Sequence, residues 1–261
     1  MKNLAVLILT SLALAGCMPK WEKLKNDIAD LEKRQMELTP AERRSLNWMY
    51  AEYAQLQSQD SVSMGYLAQA AQYFQIIGAN DTALQLSRAF MELYDSNRYT
   101  RDIYLSMARV YLDQHASDSS IANYERAQQI ASLDRSDLKD LGAAYTQISA
   151  DPKSPRAEEA MIKSANIHVE LGETTEAAHL YSRFVKLYPQ STYSPYAYTR
   201  WADVLEREGK LDEAKKVLET LIEAFPDDNF ANDARITLEK DLLGKTDEEK
   251  FAIITGERPT P

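Results

Sequence analysis

Residues 160–189, AMIKSANIHVELGETTEAAHLYSRFVKLYP, and residues 197–226, AYTRWADVLEREGKLDEAKKVLETLIEAFP, decide the fold. Laid over one another at an offset of 37 residues, they place Ala165 on Ala202, Gly172 on Gly209, Ala177 on Ala214 and Pro189 on Pro226. The large side chains match too, Tyr181 with Leu218 and Phe184 with Leu221. This pattern predicts a helical hairpin: small residues let two helices approach closely, glycine permits the turn between them, and proline ends the second helix. One hairpin alone leaves an apolar face in water, which a stacked neighbour covers.

Weaker copies lie upstream. Ala71, Phe74, Gly78, Ala83 and Phe90 keep the frame, and 37 residues later so do Ala108, Tyr111, His115, Tyr124 and Ala127. Here Asp95 replaces the closing proline, and His115 and Ser120 replace the turn glycine and the packing alanine. Between the two pairs of copies, Leu141-Gly142-Ala143-Ala144-Tyr145 reads as a first helix with no second one after it, and Asp151-Pro152-Lys153-Ser154-Pro155 breaks the helix. After Pro226, residues 228–243 form one more amphipathic helix, a candidate cap. Near the N-terminus Trp21, Leu24, Ile28, Leu31 and Leu38 predict a helix over 21–38, either a stalk or a segment packed on the body. Thr39-Pro40, with Glu42 in the first turn, opens another that runs to about Gln59.

With Gly, Ala, aromatic and Pro residues at these spacings, the chain resembles a tetratricopeptide-repeat protein over roughly residues 64–240. The resemblance implies an all-α helical solenoid with N-terminal helices and a C-terminal capping helix. The expected division is a leader at 1–16, an anchor and N-terminal helices at 17–59, a repeat array at 60–132, an adaptor helix and linker at 133–155, a second array with its cap at 156–243, and a flexible tail at 244–261. Within that tail Phe251-Ala252-Ile253-Ile254 could dock onto the body or a partner.

A repeat array of this kind offers a groove lined by the first helix of each pair. In this frame the groove carries Glu159, Ile162, Asn166, Val169 and Glu170 from one repeat and Tyr196, Thr199, Asp203 and Glu206 from the next, unless these form only a solvated helix face. Ile162 stands where clamp-type repeats that hold a C-terminal carboxylate carry lysine, although Asn166 is in register. The expectation is therefore no carboxylate clamp, and a partner that offers apolar or basic contacts.

The start of the chain points to a compartment. Met1-Lys2-Asn3 precedes an apolar run from Leu4 to Ala15, and Leu14-Ala15-Gly16-Cys17 closes it. The run matches the charged and apolar regions of a secretory signal and is too short for a membrane-spanning helix, which needs ~20 apolar residues. Its ending resembles the lipobox of bacterial lipoproteins. That resemblance implies cleavage before Cys17 and a covalent diacylglycerol and acyl lipid on its sulfur, and Met18 after the cysteine implies sorting to the outer membrane. Cys17 is the single cysteine, so no disulfide forms within one chain. Trp21 among Lys20, Lys23 and Lys25 suits either a lipid headgroup region or a solvated first turn.

A net charge of −10 argues against a nucleic-acid partner, because phosphate binding needs a basic surface. Enzyme signatures are missing as well: the three histidines His115, His168 and His179 form no His-Glu-x-x-His, and no Gly-x-Ser-x-Gly occurs. Gly244-Lys245-Thr246 fails as a phosphate loop because Glu239 stands where its first glycine is required. The reading is a non-enzymatic, lipid-anchored scaffold without cofactor, bound to other envelope proteins and to no small-molecule substrate.

The turns between repeats, from Tyr188 to Tyr196 and from Ala224 to Asp228, are similar to those of two envelope families. One is the repeat lipoprotein of the outer-membrane barrel assembly machinery, similar also in anchor and length. The other is the Tol-Pal-associated periplasmic coordinator, similar in the last two repeats. The first implies outer-membrane protein assembly on the periplasmic side; the alternative function is recruitment or regulation of peptidoglycan enzymes or of cell-division envelope machinery.

Overall fold

The computed structural model describes residues 18–94 and 96–256, so the leader, Cys17 and Asp95 lie outside it. Every regular element among the described residues is a helix. They fall into two compact units, residues 1–110 and 111–261.

The first unit begins with α1 (Lys20–Glu32), α2 (Pro40–Leu56), α3 (Ser63–Ile76) and α4 (Asn80–Leu93), each packed on the one before. Helix α1 is shorter than the apolar stripe suggests, because the chain turns over residues 33–37 to bring α2 alongside. Ile28 is buried, so α1 packs on the body; Leu38 is buried too, but it stands outside any helix, just before the Thr39 cap. That cap is a reciprocal one: the Glu42 N–H donates to Thr39 Oγ1 at 3.3 Å and the Thr39 N–H donates to Glu42 Oε2 at 2.9 Å. Donation from the Thr39 N–H and from Thr39 Oγ1, both to Glu42 Oε2, with help from Arg34, holds the Glu42 carboxyl down at about 2. Lys20 pairs with Glu52 and Lys25 with Asp60, so these two lysines turn to α2 and the loop after it.

Helix α5 (Thr100–Asp113) carries the division between the units. The second unit then holds α6 (Ser117–Ile130), α7 (Arg135–Ser149), α8 (Ala157–Glu170), α9 (Thr174–Leu187), α10 (Ser194–Arg207), α11 (Leu211–Ala224), α12 (Asn229–Glu239) and α13 (Asp247–Thr255). From α6 to α12 each helix packs on the next. The small residues sit where the spacing requires them: Ala165 and Ala177 are fully buried between α8 and α9, and Ala214 is fully buried and Ala202 nearly so between α10 and α11. Tyr181, Phe184, Leu218 and Leu221 fill the layer beside them.

A single turn geometry recurs. Gly78, Gly172 and Gly209 take φ of 72°, 73° and 74°. In each the following N–H reaches back five residues to a carbonyl: Ala79 to Phe74 at 2.8 Å, Glu173 to His168 at 2.8 Å and Lys210 to Leu205 at 2.9 Å. These bonds satisfy carbonyls that the helix end would otherwise orphan. His115 adopts the same state at φ 56° with Ala116 N–H on Tyr111 O at 2.8 Å, and Asp241 repeats it at φ 53° after α12. His and Asp are among the few non-glycine residues that tolerate this region.

Helix α7, the expected adaptor, packs on both α6 and α8. It lies antiparallel to α6, with Ser117 Oγ donating to Gln147 Oε1 at 2.6 Å and Tyr124 Oη to Asp140 Oδ2 at 3.0 Å. On its other side it packs on α8 so closely that a Cβ on Gly142 would stand 3.2 Å from Ile167 Cγ2. Helices α6 and α8 run side by side in the same direction: Arg156 pairs with Asp118, and Lys163 Nζ lies 3.4 Å from Glu125 Oε1, both across 38 residues. Thus α6 and α7 stand as first and second helix of a pair, although α6 carries the second-helix consensus and Leu141-Gly142-Ala143-Ala144-Tyr145 the first-helix one. The odd helix shifts the phase of the stack.

Within the segment expected to be a flexible tail, residues 247–255 form α13. Thr246 and Glu249 cap α13 reciprocally, and Gly256 closes it at φ 76°.

If the left-handed turn is the hairpin's requirement, two substitutions should act in opposite directions. No atom lies within 4 Å of a Cβ built on Gly209, so Gly209→Ala should lose about 1 kcal/mol from backbone strain alone. His115→Gly should gain about 0.5–1 kcal/mol as the strain is relieved. Equilibrium denaturation of both variants checks the signs.

Candidate functional site

Helices α6, α8, α10 and α12 form one row within the second unit. Beyond the α6–α8 ion pairs, Ser191 Oγ donates to Glu158 Oε2 at 2.5 Å and Tyr196 Oη to Asn166 Oδ1 at 3.0 Å, which joins α10 and its leading turn to α8. Helix α12 packs on α10, where the Phe230 and Tyr196 rings meet edge to face at 6.1 Å. The groove residues expected from sequence belong to α8 and α10 of this row, but they do not play one part.

Ile162 is 6% exposed and belongs to the core between α8, α9 and α10, so it offers no contact surface. Val169 is half-buried against the same core, whereas Glu170 is exposed. Asn166 is engaged from within: its Oδ1 accepts from the fully buried Tyr181 at 2.5 Å as well as from Tyr196. Burial, with the neighbouring Tyr196, pushes the Tyr181 hydroxyl up to about 12, so it remains a donor to Asn166 at all ordinary pH. Thr199 Oγ1 donates to its own helix, at Pro195 O.

Charged groups line the row in sequence. Lys163 lies 3.0 Å from Glu159, within reach of Glu125, and 5.3 Å above the Tyr145 ring. Burial would lower the Lys163 ammonium, but hydrogen bonds to Glu159 and Tyr145 together with the Glu125 charge leave it above the ordinary lysine value. Next along the row, Arg200 Nη1 donates to Asp203 Oδ2 at 3.0 Å. Burial raises the Asp203 carboxyl, the Glu206 charge adds to it, and Arg200 opposes both. Glu206 ends the row; its Oε1 accepts from Gly244 N–H and from Lys250 Nζ, each at 2.9 Å. A cavity of about 110 Å³ lies beneath, walled by α10, α12 and residues 242–250.

His168 sits in an ionic cluster at the α8–α9 turn. Its Nδ1 lies 2.8 Å from Glu173 Oε2, in a cluster where Arg135 and Lys139 of α7 also reach Glu173 at 3.5 and 3.6 Å. Contact with His168, then with Lys139 and Arg135, lowers the Glu173 carboxyl. The cluster ties α7 to the α8–α9 turn. Among the described residues, no group of three His, Cys, Asp or Glu could hold a metal ion, and no helix is long and apolar enough to cross a membrane.

Residues 159–191 and 196–228 match the family model described as Tetratricopeptide repeat. The two matches coincide with the pairs α8–α9 and α10–α11, two successive helical hairpins of the all-α fold. The tetratricopeptide repeat is a protein-interaction fold, and such proteins mediate contacts between other proteins. Among solved structures, the chain is similar to YrrB, a tetratricopeptide-repeat protein described as having an unusual peptide-binding site; identity is 14%, coverage 71% of this chain and 97% of that one, and the TM-score 0.33. It is also similar to TTC0263, a thermophilic tetratricopeptide-repeat protein of Thermus thermophilus, at 17% identity, 84% and 99% coverage and a TM-score of 0.31. No curated protein sequence matches the chain.

Because Asn166 supports two tyrosine hydroxyls, Asn166→Ala should cost about 1–3 kcal/mol by leaving buried donors unsatisfied. Thermal denaturation reads this directly, and Asn166→Asp, which keeps the acceptor oxygen, should recover part of it.

Proposed function

We propose that this chain is a non-enzymatic scaffold of the bacterial cell envelope, anchored by lipid on Cys17 to the periplasmic side of the outer membrane, and that it serves outer-membrane protein assembly. The observation that carries the reading is Leu14-Ala15-Gly16-Cys17 at the end of an apolar run, with only Met18 and Pro19 between the cysteine and Lys20, where α1 opens. A diacylglycerol and a further acyl chain give firm attachment, since each buried methylene adds ~0.8 kcal/mol and one chain alone is marginal. The short tether then keeps the folded body close to the bilayer.

Interaction falls to the row of α6, α8, α10 and α12, whose exposed groups are carboxylates and a few paired cations, with Tyr196 half-buried among them. Such a surface suits proteins with basic and apolar contacts, and with a net charge of −10 it does not suit nucleic acid. No cofactor or small-molecule substrate enters this reading. Barrel assembly is the specific version because anchor, length and repeat content are together similar to that family.

Cys17→Ser should leave folding intact and shift the protein from the membrane fraction to the soluble periplasm; retention in the membrane would contradict the anchor. Depletion should lower barrel-protein levels in the outer membrane. Altered cell shape with normal barrel levels would instead assign the scaffold to peptidoglycan enzymes.

A further inference from the structure

Helix α13 has an unusual relation to the body. None of its residues is buried, and its apolar side chains Phe251, Ile253 and Ile254 are 59%, 39% and 51% exposed. What holds it is polar: Lys250 Nζ on Glu206 at 2.9 Å, Lys240 Nζ on Ile254 O at 3.5 Å, and the leading Gly244 N–H on Glu206. Beneath it the cavity of about 110 Å³ stays open, with Ala202, Leu218, Ala234 and Leu242 among its walls. Thr199, Thr237 and Asp233 share those walls, so the space has one apolar side that fits a short aliphatic side chain and a polar rim. Asp203 and Asp233 stand in the same wall as Glu206, so three carboxylates face this place with Lys250 among them.

We propose that the α10–α12 face is a docking surface for a helical segment that presents one lysine to Glu206, and that α13 is its displaceable occupant in the free chain. The proposal rests on the reading of this row as the interaction face and names the chemistry it takes. A partner segment would place its ammonium where Lys250 sits and one aliphatic side chain in the cavity that α13 leaves unfilled. Displacement costs little because α13 buries no apolar side chain, and the arriving ammonium replaces Lys250 on Glu206, so that this carboxylate, only 18% exposed, stays paired.

The test uses the full chain and a fluorescein-labelled peptide of residues 244–256 as probe, read by anisotropy at low salt. With Lys250→Glu in the chain, its own helix is repelled from Glu206, and the peptide should bind at least tenfold tighter than to the unaltered chain. Adding Glu206→Gln to that chain should remove the gain. Equal binding to the altered and unaltered chains, or binding that survives Glu206→Gln, would overturn the proposal. Circular dichroism establishes that the variants fold. As a second readout, amide exchange over residues 247–255 should accelerate at least tenfold in the Glu206→Gln chain, and unchanged protection would equally refute the latch. Both measurements use purified protein, so they can fail while envelope scaffolding stands, and depletion phenotypes can fail while the latch stands.

Discussion

The structure depends on two helices coming close enough to bury alanine against alanine. At Ala165 with Ala177, and at Ala202 with Ala214, the backbones approach as only small side chains allow, and the larger Tyr181, Phe184, Leu218 and Leu221 then pack alongside. The chain must reverse within three residues for this, and the left-handed residue with its six-to-one hydrogen bond does so at Gly78, His115, Gly172 and Gly209. Asp241 uses the same device to redirect the chain toward α13. Packing and turn are therefore one constraint seen from its two ends.

One consequence is the phase shift at α7. Within the second unit the helices alternate between two layers, so the lone α7 puts α6 and α8 in the same layer. Helix α6 consequently becomes the neighbour of α8, as α8 is of α10 and α10 of α12, and the charged partners Asp118 with Arg156 and Glu125 with Lys163 come into register. The candidate interaction row in the second unit spans four helices for this reason. Exposed ion pairs of this kind contribute little stability; their larger effect is to set a polar surface of defined charge order.

Much of this is legible in residue types. The alanines, glycines and prolines of the two strongest repeats mark helices α8 to α11, and Thr39-Pro40 with Glu42 marks the start of α2 with its capping box. The phase shift is not legible, because the consensus records how a helix packs on its partner and carries no record of its layer. Position in the repeat assigns Ile162 to the groove, yet a β-branched side chain at a closely packed crossing goes into the core. Asn166 has the right register for ligand contact, but two tyrosines distant in sequence claim its oxygen. Helix α13 does leave a signal, Thr246-x-x-Glu249 followed by Gly256, which is a start and a stop. The lack of an apolar period masks it, and for the same reason the helix sits on the surface without burying a side chain.

The most direct test of the account is site-specific photocrosslinking in living cells, with the reactive group placed at Lys163 or Thr199 in the α8–α10 row and at the exposed Lys216 on α11 as the comparison. The account predicts adducts with an outer-membrane assembly subunit from the two row positions and none from Lys216. Adducts from Lys216 alone, or from all three positions alike, would contradict the assignment of the row as the interaction face.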